Sequence, residues 1–99
     1  MAILDTIKTS LRISHSSLDA DITADIATAK AEMERAGVLA SAIDETDALI
    51  LSAIKAYCKY NYESDPVRKE GFWKSWELQL DNLRKSTDYS AFIAAQDEE

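Results

Sequence analysis

Leu18, Ile22, Ile26, Ala29, Met33 and Ala36 recur at steps of four, four, three, four and three residues. That spacing places all six on one face of an α-helix and on no single face of a strand. Asp19 and Asp21 would then stand in the first turn and Arg35 in the last, where the helix dipole favours acids and bases respectively. Ser16 followed three residues later by Asp19 resembles a capping box, with Ser17 as the alternative cap. Gly37 supplies the left-handed residue that commonly closes such a helix. The pattern predicts a helix over 17–36.

Similar reasoning places the other elements. Leu4, Ile7 and Leu11 form one face of a short helix that fades near Arg12, because the polar run 14–17 competes for backbone hydrogen bonds. Residues 38–45 read as a connector with one extra helical turn around Leu39 to Ile43. Asp44 or Thr46 is expected to cap a third helix carrying Leu49, Ile50, Ala53, Ile54, Tyr57 and Tyr60 on a broad face. Only Ser52, Lys55 and Lys59 form a polar strip there, so this helix should be central or partly covered by another chain. Asp65 and Pro66 mark the next start, a cap followed by a residue whose missing N–H would be unpaired in that position anyway. The fourth helix should run to about Lys85, with Phe72, Trp76, Leu80 and Leu83 on one arc and Trp73 at its edge.

No alternating apolar–polar run signals a strand, and two glycines and one proline are too few for a turn-rich β fold. The expected fold is all-α, a compact bundle of four main helices with short connectors and a C-terminal tail. A chain of 99 residues supplies one core and no more. The net charge of −7 has the wrong sign for a module that must displace counterions from duplex DNA. It is unevenly spread: residues 66–86 carry five bases and three acids, whereas 87–99 carry four acids and no base. Such polarity suits copies that meet head to tail. Apolar runs of only a few residues give no membrane span, and Met1 to Asp5 lacks the basic start and long apolar centre of a secretory signal. With one cysteine the chain is expected to work in a reducing compartment.

Little here points to catalysis. His15 and Cys58 are the only nucleophile–base candidates, and Cys58 falls on an apolar helix where a thiol behaves as a small hydrophobe. Asp44, Glu45 and Asp47 lack the alternating oxygen ligands and turn glycine of a calcium loop. One histidine and two isolated glycines make neither a transition-metal site nor a phosphate loop. No enzymatic activity, cofactor or metal is expected. Trp73 and Trp76, with Lys69 and Lys74, could stack on bases, but tryptophans at helical spacing are more often core.

Protein contact is the better-supported expectation. Leu78 falls opposite Leu80 and Leu83 on the fourth helix, and Leu51 and Tyr62 lie off the main stripe of the third. Tyr89, Phe92 and Ile93 are too apolar for a purely solvated terminus. These six residues are the candidate protein interface. The tail is expected to dock on a partner or an adjacent copy and to be mobile in the free monomer; the alternative is that it folds back onto its own bundle.

The order of features resembles a known family. An opening helix Leu4-Asp5-Thr6-Ile7-Lys8-Thr9-Ser10-Leu11 is followed by a long helix ending in Ala36-Gly37. Next come an acidic connector, a helix with Ala53-Ile54 and Tyr57, the Asp65-Pro66 start, and a helix with Phe72, Trp76 and Leu80. Over about residues 3–89 this is similar to the small head–tail connector proteins of long-tailed double-stranded-DNA bacteriophages and prophages. With the pattern of helices, the resemblance gives a helical connector domain over 1–86; the acidic C-terminal tail over 87–99 is read from the residues alone, as its Asp-Glu-Glu ending is not a feature of the family. The resemblance also implies a ring of about a dozen copies beneath the portal. That ring would extend the DNA channel without binding DNA specifically and carry head-completion or tail proteins. Its place would be the head–tail junction of the virion, and the host cytoplasm during assembly. The alternative is a small acidic cytosolic adaptor or regulatory module that binds another protein.

Overall fold

The computed structural model describes residues 3–86 and residue 89. Its helices are α1 (Ile3–Leu11), α2 (Asp19–Ala36), α3 (Ala48–Tyr62) and α4 (Pro66–Lys85), with one 3-10 turn at Ala40–Ala42. No strand forms among the described residues. The protein is an all-α bundle. α3 is its centre: it packs most broadly on α4 and also against α1 and α2. Ile50, Ala53, Ile54 and Cys58 of α3 are wholly buried, together with Ile7, Ile22, Ala29 and Met33 from α1 and α2.

The α3–α4 pair is an antiparallel hairpin pinned by rings. Tyr60 meets Trp73 with ring centroids 4.9 Å apart, and three residues back along α3 and three on along α4 Tyr57 meets Trp76, also at 4.9 Å. Trp76 is 3% exposed and anchors the core, whereas Trp73 lies on the rim. Lys69 Nζ donates to the Tyr60 carbonyl at 3.0 Å and sits 4.4 Å from the Tyr60 ring centroid, giving an end carbonyl of α3 a partner.

The helix ends show which local signals prevailed. Asp65 caps α4, its Oδ1 accepting the Val67 amide at 3.1 Å with Pro66 in the first helical position. Gly37 closes α2 at φ 111°, its N–H reaching the Glu34 carbonyl while Val38 N–H reaches Met33. α1 ends with the same pair of bonds, Arg12 to Thr9 and Ile13 to Lys8, but the left-handed position is held by Arg12 at φ 60°.

Two expected caps are corrected. Asp47, not Asp44 or Thr46, caps α3: its Oδ1 accepts the Leu49 and Ile50 amides at 2.9 and 3.4 Å. Asp44 is occupied one turn earlier, where its Oδ1 accepts both the amide and the hydroxyl of Thr46. At α2 neither Ser16 nor Ser17 caps, and the helix begins at Asp19 after an N-cap Leu18 that makes no side-chain cap bond. The Ser17 hydroxyl lies 2.6 Å from His15 Nδ1 instead, and Leu18 packs against the core. Lys8 Nζ meets Asp19 Oδ1 at 2.8 Å and ties α1 to the start of α2.

Candidate interaction surfaces

The chemistry-bearing side chains do not converge. Cys58 is fully buried, and burial pushes its thiol up to about 12, which leaves no thiolate at neutral pH. His15 is exposed in the α1–α2 turn with Ser17 as its neighbour. Among the described residues no three His, Cys, Asp or Glu side chains gather as a metal site, and no helix is long and apolar enough to cross a membrane. The acids of 44–47 have structural partners: Asp44 bonds Thr46, Asp47 caps α3, and Glu45 pairs with Lys30.

What the surface offers is apolar side chains and uneven charge. On α4, Leu78 is 63% exposed and Val67 78% exposed, on the side opposite Trp76 and Leu83. Between them Gly71 faces open space, with nothing within 4 Å of where a Cβ would stand. The periodicity had marked Leu78 but not Val67, because one valine in a first turn carries no distinguishing signal. Leu51 and Tyr62, the other helical candidates, are half-buried and packed against the chain's own core. Burial, followed by the neighbouring Asp25, raises the Tyr62 hydroxyl's pKa, so Tyr62 stays neutral.

The chain after α4 turns back onto the bundle at Tyr89. Leu39 N–H donates to the Tyr89 carbonyl at 2.7 Å, and the Tyr89 hydroxyl donates to Asp47 Oδ2 at 2.8 Å. That contact is the first cause holding the Asp47 carboxyl below its usual range, assisted by the Leu49 and Ile50 amides. Tyr89 thereby forms one wall of a groove of about 270 Å³ whose other sides include Leu49, Leu83 and Asn82. Leu49 is 57% exposed at this groove, although its spacing placed it on the core face. It sits in the first turn of α3, open to the groove that it shares with Leu83 of α4. The candidates Phe92 and Ile93 lie outside the described residues.

A second cleft, about 700 Å³, opens at the other end of α3, between the α1–α2 turn and the start of α4. Arg12, Lys59 and Arg68 line it against a single acid, Glu63. Leu11, Ile13 and Phe72 give it an apolar part. Sequence reading missed it because its three bases come from three separate elements, each unremarkable alone.

A family model described as phage connector protein matches residues 3–90, nearly the whole chain. No curated protein and no solved structure matches it.

Proposed function

This chain belongs to the phage connector protein family, and on that premise we propose that it assembles as a ring beneath the portal of a DNA-filled head. The family suggests a head–tail connector role, a component of the virion in contact with other virion proteins, and it is generally non-enzymatic. In the proposed role, about a dozen copies close by docking one surface of each onto a different surface of the next. The ring extends the DNA channel, and its free side receives the head-completion or tail proteins.

The observation that carries this reading is the family match over residues 3–90. The surface supports it. Val67 and Leu78 on α4 are large apolar side chains left mostly exposed among the described residues, suited to a neighbour or to the portal. A net charge of −7 suits a conduit wall that DNA must pass without adhering. The test is to mix the purified chain with the portal protein of the same phage and record native mass spectra and electron micrographs. Rings of this chain stacked on portal rings are expected. A chain that remains monomeric beside intact portal rings would overturn the reading.

A further inference from the structure

Building on the connector reading, we propose that the acidic C-terminal segment 90–99 of one copy seats in the basic cleft at the far end of the next copy. The cleft carries Arg12, Lys59 and Arg68 against Glu63, and Arg68 also pairs with Asp65 at 3.7 Å, which still leaves the cleft with more bases than acids on a chain of net charge −7. The segment after Tyr89 has the complementary character: Asp97, Glu98 and Glu99 with no base, preceded by Phe92 and Ile93. Acids would meet Arg12 and Arg68, which are exposed at the rim, while the two apolar side chains meet Leu11, Ile13 and Phe72.

Chain length shows why the apolar part of the occupant comes from another copy. Tyr89 is fastened to Asp47, the residue that starts α3, whereas the cleft lies beside Tyr62, the residue that ends it. The 15 residues of α3 separate the two by about 22 Å. From Tyr89, the three residues to Phe92 span at most about 11 Å and the four to Ile93 about 14 Å. Both spans fall short of that distance, whereas Asp97 to Glu99, eight to ten residues beyond Tyr89, span about 29–36 Å, so it is the apolar pair and not the acids that calls for the cleft of another copy. Tyr89 and the acceptor cleft thus lie at opposite ends of α3, and each copy can give its tail to one neighbour and receive the tail of another, a contact that repeats from copy to copy around a ring.

Two full-length variants test this. Arg12→Gly with Arg68→Glu disables the cleft and keeps the tail; Phe92→Ser with Ile93→Ser disables the tail and keeps the cleft. Helical circular dichroism and melting of each variant establish that it folds. By sedimentation at low salt, with and without portal, each variant alone should associate roughly tenfold or more weakly than the unaltered chain. An equimolar mixture should recover one junction and form a one-to-one heterodimer. A mixture that associates no better than its components, or variants that associate like the unaltered chain, would overturn the inference and leave the connector reading standing. If the unaltered chain itself never associates, even on the portal, both fall. If the cleft variant loses only retention on DNA and keeps its self-association, the cleft is a phosphate-backbone surface and the inference is again overturned.

Discussion

The Tyr89 hydroxyl donates to Asp47 Oδ2 at 2.8 Å while Asp47 Oδ1 accepts the Leu49 amide at 2.9 Å. One carboxylate thus starts the central helix and fastens the chain that follows α4, across 42 residues of sequence. The contact makes the start of α3 and the position of Tyr89 interdependent.

Replacing Tyr89 with phenylalanine removes the largest cause of the lowered Asp47 pKa. Because the folded-state value is lowered, the stability it contributes is fully present above the ordinary carboxyl range near about 3.9 and is lost as pH falls through the folded value. Tyr89→Phe should therefore melt below the unaltered chain at pH 7, with the gap closing as pH falls below about 4. Thermal melts of both proteins from pH 7 to 2.5 check this; a gap that is constant with pH would contradict it.

Trp76 and Trp73 should differ sharply despite their spacing. Trp76 is 3% exposed and packs edge-on to Tyr57, so Trp76→Ala should cost about 3–5 kcal/mol. Trp73 is 37% exposed with one ring contact, and Trp73→Ala should cost about 1 kcal/mol. Urea unfolding of the two variants gives both numbers on one scale.

Two substitutions should stabilise. Arg12 holds a left-handed backbone at φ 60°, a conformation glycine adopts freely, so Arg12→Gly should gain about 0.5–1 kcal/mol. Gly71 is exposed inside α4 with open space around its missing Cβ, and Gly71→Ala should gain about 0.5–1 kcal/mol. Each gain should raise the melting temperature by roughly 2–8 °C, read by calorimetry.

Cys58 should be chemically silent. A fully buried thiol pushed up to about 12 offers no thiolate at pH 8, so alkylation by iodoacetamide should be slow in the native protein and complete in denaturant. Mass spectrometry of timed samples measures it, and rapid native labelling would contradict the described core.

The fold was largely legible because its strongest signals are local. The α2 stripe, the Gly37 stop and the Asp65-Pro66 start each need only neighbours in sequence, and each appears where the pattern placed it. The failures have two kinds of cause, a partner distant in sequence or a competing local conformation. Asp44, Thr46 and Asp47 are all chemically able to cap α3, and Asp47 is also the one bonded to Tyr89 from the far side of α4. Ser17 is an equally good cap in isolation, but its hydroxyl lies against His15. Leu49 follows the apolar period yet stays largely exposed at the groove it shares with Leu83. Arg12 takes a left-handed turn with no glycine to announce it, and with Lys59 and Arg68 it makes a basic cleft visible only once α1, α3 and α4 are assembled.

The connector role itself is tested most directly in the phage or prophage that encodes the chain. Deleting its gene and imaging the lysate by electron microscopy should yield heads with portals and free tails that never join, with virions restored by the gene supplied in trans. Complete, infectious virions from the deletion would contradict the account.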